Sequence, residues 1–437
     1  MDSTQPARIL VVGGGYVGMY AALRLQAKLT GEEASITVID PRSYMTYQPF
    51  LAEAAAGSVE PRHVVVPLRE VLDGCQVLSG EVTGIDHTRR SVTVRVADGH
   101  VEQLGYDLLV VAPGSVSKTV PVPGLAEHAV GFKTLEEAIY LRNHVLSRMD
   151  EAASTVDPEL RRKLLSFVFV GGGYAGIEAM AELEDMARQA APYYQNIVPD
   201  DMRWVLVEAM DRIMPEVSAP LASYTLDRLT ERGFEAYLNT TLRSVEDGHV
   251  VLDNGVEFDA DTVVWTAGVK PNPMLADTDL PLDGKGRLRC TTKLQVEGIP
   301  NIFAAGDCAA VPDVTSKEPD AVCAPSAQHA TRQAKRLASN VLAWLRGGRL
   351  RGYRHAYAGS VASLGLYRGV AEIYGVKVRG VPAWALHRGY HLATMPTAHR
   401  KSRIAVDWAL SLPFRRQVVA TGEQHTPRRQ FVRASNG

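Results

Sequence analysis

The chain has 437 residues, 46% hydrophobic and 22% charged, which allows several cores and excludes a small stapled scaffold, wholesale disorder or a fibrous repeat. Net charge is −2, yet residues 379–437 carry ten Lys/Arg against two Asp/Glu, so a basic end on an acidic body points to an anionic surface as partner, and no nucleic-acid partner is expected. Cys75, Cys290, Cys308 and Cys323 form no CxxC pair and no apolar run is long enough to span a bilayer; no disulfide framework, metal site, signal peptide or membrane span is expected, and a reducing compartment fits.

In chain order, an apolar strand-like run, Ile9 to Val12, leads into Gly13, Gly15 and Gly18 spaced as GxGxxG. A helix-like segment, Tyr20 to Leu29, follows, and then a second run, Ile36 to Ile39, ends in Asp40. Ser91 to Val96 before Asp98-Gly99, and Leu108 to Val111 before Ala112-Pro113-Gly114, complete a module of strands and turns. The pattern returns 158 residues on: Phe167 to Val170, then Gly171, Gly173 and Gly176, a helix over Glu178 to Ala190, and Trp204 to Val207 ending in Glu208. Val250 to Leu252 and Val263 to Gly268 close this second copy as the first closes. The fold class is therefore α/β, with two Rossmann-like dinucleotide-binding domains and a C-terminal amphipathic module. Residues 1–125 and 285–355 form the first domain, interrupted by the second at 130–280, and the third region spans 356–437.

Glycine at these positions permits a tight strand-to-helix turn, close backbone approach to a pyrophosphate and tight helix packing, and the helix N-terminus offers N–H groups and a positive dipole end. Asp40 and Glu208 then accept from ribose hydroxyls. Glu208 favours a free 2′-hydroxyl over a 2′-phosphate, hence NADH over NADPH; Arg212 is the one nearby cation that softens this.

The segment Thr291 to Asp307 resembles the second flavin signature of the two-dinucleotide-binding flavoproteins, with Asp307 as the residue delivered to the ribityl chain. Together with the two fingerprints it makes the stretch from about 7 to 355 similar to the pyridine-nucleotide–disulfide oxidoreductase superfamily. That resemblance assigns FAD to Gly13, Gly15, Tyr16, Gly18, Asp40, Arg42, Gln48, Ala112, Gly114, Asp307 and Gln328, and NADH to Gly171, Gly173, Gly176, Glu178, Glu208 and Gly268. Disulfide reductases of the superfamily carry a cysteine pair just after the first βαβ unit, where this chain has Tyr44 to Phe50, so thiol chemistry is not expected.

Tyr47-Gln48-Pro49-Phe50-Leu51 resembles the FQPLL segment of the type II, non-proton-pumping NADH:quinone dehydrogenases. Ala327, Gln328 and Ala330 match their AQxAxQ quinone motif, but Arg332 stands where the second glutamine belongs, with Gln333 one step on. A one-residue shift on a helix turns the amide by about 100°. Glu178 matches the GxxGVE glutamate of the family, and Arg368 falls where members often have Lys; the resemblance makes Glu178, Gln328 and Arg368 the candidate catalytic set, with Glu178 handling protons.

At the C-terminal end, Trp384, His387, His391 and Leu392, then Ile404, Trp408 and Leu412, recur at helical spacing, flanked by Arg400, Lys401, Arg403, Arg415 and Arg416. This pattern describes helices lying in a membrane interface. The expected function is a peripheral flavoenzyme on the cytoplasmic face of the cell membrane that passes hydride from NADH to FAD and two electrons to a membrane quinone without pumping ions, with a homodimer as an open question. Two alternatives remain: a soluble reductase of a ferredoxin- or rubredoxin-like protein, against which the tail lacks strong strand alternation, and an NADH-binding redox-sensing flavoprotein.

Overall fold

The computed structural model describes residues 5–355, 359–411, 413, 414 and 416–421. The chain divides into two compact units, Met1–Thr46, Val65–Lys118 and Val269–Tyr357 forming the first and Tyr47–Val64, Thr119–Gly268 and Ala358–Gly437 the second. The excursion of 47–64 into the second unit was not expected from sequence, nor was the clustering of the C-terminal region with that unit rather than by itself.

Unit 1 is built on a seven-stranded sheet in the order Ile302–Ala304, Leu108–Val111, Ala7–Val12, Ala34–Asp40, Gln76–Asp86, Ser91–Val96, Val101–Gly105. The first five strands are parallel and the last two add an antiparallel meander. Ile9, Val11, Val38 and Val110 are fully buried, as expected for parallel strands covered on both faces. Unit 2 repeats the scheme with five parallel strands in the order Ala129–Gly131, Thr262–Trp265, Ser166–Val170, Arg203–Val207, Phe234–Tyr237. One of its cores joins Val168, Val170, Val205 and Val207 to Leu242, Val250 and Leu252 of a small antiparallel sheet.

The helices after the two glycine clusters are Tyr16–Gln26 and Tyr174–Ala190. Both begin directly after the second fingerprint glycine, four residues earlier than the sequence pattern placed them, because the apolar periodicity sets in only after the glycines have already turned. The first also ends at Gln26 rather than Leu29, where Lys28 and Leu29 close a turn onto the Leu25 carbonyl.

The region after 358 corrects two expectations. It opens with a three-stranded antiparallel sheet, Gly359–Ser363, Gly369–Ile373 and Val376–Arg379, with left-handed turn residues Gly365, Tyr367, Tyr374 and Gly375. Strands this short carry little alternation; their turn glycines are the only legible sign. Helices Val381–Thr394 and Ala398–Leu410 follow as the spacing predicts, but their aromatic stripe faces protein. Ala383, His387 and Ile404 are buried, Trp384 packs on Tyr367, and Trp408 meets Phe50 edge-on while its Nε1 donates to Glu53 at 2.7 Å. The large apolar side chains left exposed on these two helices are a different set, Val381, Leu386, Tyr390, Val406 and Leu410, with Phe414 just beyond. Leu412 and Arg415 lie outside the described residues.

Arg416, expected as a surface cation, is also buried: its Nη2 donates to Glu182 at 2.8 Å and its Nη1 to the Glu182 carbonyl. Arg388 lies between Trp384 and Trp408 and pairs with Glu53 at 3.0 Å. Two carboxylates inside unit 2 thus hold the C-terminal region against its core. Burial works to raise the Glu182 carboxyl, yet Arg416, Arg388 and the Ser363 hydroxyl hold it below the ordinary value. Removing one partner of such a pair leaves an uncompensated buried charge, so Arg416→Ala is expected to cost about 3–5 kcal/mol in urea unfolding. Arg95→Ala, which breaks the exposed pair with Glu81, leaves the midpoint nearly unmoved.

Candidate functional site

Each unit carries a glycine cradle at the C-terminal end of its central strand, and the three fingerprint glycines have separate steric roles. Gly13 has φ +96°, and a Cβ there would sit 2.2 Å from the Ala112 carbonyl oxygen; a Cβ on Gly18 would sit 1.7 Å from the Gly13 oxygen. Gly171 has φ +113° and crowds Thr266, and a Cβ on Gly176 would sit 2.1 Å from the Gly171 oxygen. Gly15 and Gly173 have nothing within 4 Å. The first and third glycines therefore close the turn, and the second faces open space.

These second glycines are also the helix N-caps. Neither Gly15 nor Gly173 supplies a side-chain cap, and neither first turn holds an acidic residue. The opening N–H groups and positive dipole end are left for an anion, so the cradles fit the pyrophosphate of a dinucleotide. Tyr16 starts the first helix beside this opening and stacks with Tyr20. Gly114 and Gly268 close the neighbouring turns with φ +71° and +93° and likewise face open space.

The acidic residues at the next strand ends are fixed alike. Asp40 accepts from Gly14 N at 2.7 Å and Arg42 N at 2.8 Å; Glu208 accepts from Gly172 N at 2.5 Å and Met210 N at 2.8 Å. Gly14 and Gly172, the middle residues of each triple glycine, lie so close to these carboxylates that a Cβ would come within 3.3 Å of the Asp40 Cβ and 3.0 Å of Glu208 Oε2. Sequence reasoning missed this role, although the unbroken GGG in both copies was its signal. Burial pushes the Asp40 carboxyl up, against its two backbone donors. The Arg42 side chain is exposed, and the half-buried Arg212 donates to the Pro215 carbonyl.

Asp307 lies in unit 1 after the strand Ile302–Ala304, on a turn at Gly306 with φ +79°, and its Oδ2 accepts from Ser115 Oγ at 2.6 Å. Gln333 explains the displaced glutamine: it is buried in the helix Ala327–Leu345, and its Oε1 accepts from Gly306 N at 2.7 Å, so it supports the Asp307 turn. Gln328 stands in the first turn of the same helix, and Arg332 meets His355 Nδ1 at 3.0 Å. The four cysteines are free, with burial pushing the Cys308 thiol to about 12 and the Cys323 and Cys75 thiols to about 11.

Gly13, Gly15, Tyr16, Gly18, Asp40, Arg42, Ala112, Gly114, Asp307 and Gln328 all belong to unit 1. Gln48, expected with them, lies in unit 2, exposed, and donates to the Lys133 carbonyl at 3.3 Å. Unit 2 holds Gly171, Gly173, Gly176, Glu178, Glu208 and Gly268. Glu178, in the second fingerprint helix, accepts from Ser363 N at 2.8 Å and lies 3.2 Å from His387 Nε2. Arg368 instead pairs with Asp185 at 3.1 Å, in a cluster with Arg232 and Glu184, and the titratable group beside Glu178 is His387.

The glycine roles separate in a substitution experiment. Gly176→Ala is expected to cost about 1–3 kcal/mol of stability by overpacking. Gly173→Ala keeps the thermal midpoint and weakens dinucleotide binding by about tenfold or more, about 1.4 kcal/mol. Calorimetry on the two variants reads both.

The profile of the pyridine nucleotide-disulphide oxidoreductase family matches residues 7–334. A type II NADH:quinone oxidoreductase of Mycobacterium tuberculosis is 30% identical over 434 residues, covering 95% of this chain and 91% of its own length. The type II NADH:quinone oxidoreductase of one Staphylococcus epidermidis strain is 30% identical over 383 residues, 86% of this chain and 92% of that protein. Among solved structures, NDH2 from Plasmodium falciparum in complex with NADH shares the fold at a TM-score of 0.88 and 16% identity, covering 95% of this chain and all of that one. The sulfide:quinone oxidoreductase of Aquifex aeolicus follows at 0.71 and 16%, with 94% of this chain and 96% of that one covered. The chain belongs to the pyridine nucleotide-disulphide oxidoreductase family and, within it, to the type II NADH:quinone oxidoreductases.

Proposed function

We propose that this chain is an FAD-dependent NADH:quinone oxidoreductase that works at a membrane surface and moves no ions across it. The observation that carries the reading is the pair of carboxylate-clamped, uncapped glycine cradles, the second ending in Glu208. In unit 1, Gly13 to Gly18 would receive the FAD pyrophosphate, Asp40 its ribose, and Asp307, oriented by Ser115, its ribityl chain. In unit 2, Gly171 to Gly176 would receive the NADH pyrophosphate, while Glu208 accepts from the adenosine ribose and repels a 2′-phosphate.

FAD, when bound, supplies the redox chemistry: it takes a hydride from NADH and returns two electrons to quinone. The protein's part is positioning. The turns at Gly13 to Gly18 and Gly171 to Gly176 would hold the two pyrophosphates, and the backbone donors on Asp40 and Glu208 fix the carboxylates before a ligand arrives. Gln328 is the acceptor-side residue of this reading, with Gln333 committed to the Asp307 turn. Membrane association rests on the exposed Val381, Leu386, Tyr390, Val406, Leu410 and Phe414 with the basic Lys401 and Arg403 nearby in sequence, a pattern suited to an anionic lipid interface. The cytoplasmic face is the side with such lipids and with NADH.

The test is to reduce the purified holoenzyme anaerobically with one equivalent of NADH and add a short-chain quinone. Flavin colour is expected to bleach and return within one turnover time; a flavin that stays reduced contradicts the reading. Glu208→Ala is expected to raise the NADPH-to-NADH ratio of kcat/KM by about tenfold or more, as one charge-assisted ribose contact is lost and one repulsion removed. Leu410→Asp with Phe414→Asp is expected to abolish sedimentation with anionic vesicles while leaving binding of NADH intact.

A further inference from the structure

The interior of unit 2 holds titratable groups that hydride transfer does not use. His387 is 1% exposed, and neither ring nitrogen makes an aligned hydrogen bond, although Nε2 lies 3.2 Å from Glu178 Oε1. One helical turn on, His391 meets the His387 ring edge-on with centroids 4.6 Å apart. Nδ1 of His391 is 3.2 Å from Tyr47 Oη, and the same Tyr47 Oη is 2.6 Å from Oγ1 of the exposed Thr394. Glu178, His387, His391, Tyr47 and Thr394 thus form a file from the interior of the unit to its surface.

We propose that this file is a proton relay, in which His387 stores a proton for Glu178 and is reloaded from solvent through His391, Tyr47 and Thr394. The proposal rests on the quinone reductase reading and assigns it residues. NADH surrenders two electrons and one proton as hydride, whereas a quinone becomes hydroquinone by taking two electrons and two protons. One proton per turnover must therefore come from solvent. In the relay it leaves the imidazolium of His387 for the Glu178 carboxylate, and passes from there to the reduced quinone oxygen. His387 is then neutral, and a solvent proton entering at Thr394 and Tyr47 restores it through His391. Neither the His387–Glu178 contact nor the handover between the imidazoles is an aligned hydrogen bond at rest, so a turn of the His387 ring about its Cβ–Cγ bond gates both.

The surroundings give the two histidines opposite tasks. Burial pulls His387 down, but the Glu178 contact and the Glu53 and Glu182 carboxylates hold it above its ordinary value, with Arg388 and Arg416 committed to those two glutamates. Burial and the neighbouring His387 hold His391 well below its ordinary value. A proton therefore rests on His387 and only passes through His391. By linkage, the His387 proton stabilises the folded protein fully below about pH 6.5, and this contribution fades as pH rises through the higher folded value.

The test compares wild-type holoenzyme with His391→Gln, His387→Gln and Tyr47→Phe, using NADH with a short-chain quinone, which needs the solvent proton, and with ferricyanide, which does not. The expected result is a fall of about tenfold or more in the ratio of quinone to ferricyanide rate, the usual scale for losing a proton-transfer group. It is accompanied by a larger solvent isotope effect on the quinone step and partial rescue of His391→Gly by added imidazole. Independently of turnover, ¹⁵N-histidine spectra are expected to show an imidazole titrating above the ordinary histidine value that is lost in His387→Gln, and one titrating well below it that is lost in His391→Gln. Should His387→Gln fail to fold, His391→Gln and Tyr47→Phe, nearer the surface, carry the test. An unchanged rate ratio and isotope effect in a folded variant overturns the relay while the function stands. A wild-type protein active with ferricyanide and inert to quinone overturns both.

Discussion

A helix that begins on glycine, with no side chain to cap it, leaves its first N–H groups without an internal acceptor. The structure meets this constraint twice, at Gly15 and Gly173, and much of each unit is arranged around it. The first and third glycines bring strand and helix together so tightly that no Cβ fits, and the space kept open at the second lies at the positive end of the helix. Asp40 and Glu208 are drawn to the same place by backbone donors at Gly14 and Gly172, so the strand ends, helix starts and strand-end carboxylates are one interlocked device. Acid is absent from both first turns and stands instead at the neighbouring strand ends, in Asp40 and Glu208.

Unit 2 adds a second layer of constraint. Glu53 and Glu182 are wholly buried, and each takes an arginine from the C-terminal region, Arg388 and Arg416. These cations satisfy charges that would otherwise be intolerable inside the unit, which is why the aromatic stripe of the last two helices turns inward. With Arg368 held by Asp185, the titratable group beside Glu178 is a histidine, the side chain whose ordinary pKa lies nearest neutral pH.

What the sequence made legible follows from local physics. The paired fingerprints, their strands and their acidic termini depend on spacing within a single βαβ unit, and these could be read directly. The directions of side chains that depend on distant partners could not be read. Arg416 looks like a surface cation until Glu182, far away in sequence, is placed beside it; Gln333 looks like a displaced quinone ligand until Gly306 N takes its oxygen. The stripe Trp384, His387, His391, Ile404, Trp408 has the same periodicity whether it meets lipid or protein, and only the buried Glu53 decides between them. The short strands after 358 escaped because their glycine turns were louder than their alternation.

Two copies of one cradle would hold two different dinucleotides, FAD in the first and NADH in the second. Hydrogen–deuterium exchange on the FAD-loaded protein, with and without NADH, addresses it residue by residue. NADH is expected to slow exchange at 171–178 and 208–210 and to leave 13–18 as FAD has already set it. Protection by NADH at 13–18, or none at 171–178, would contradict the account.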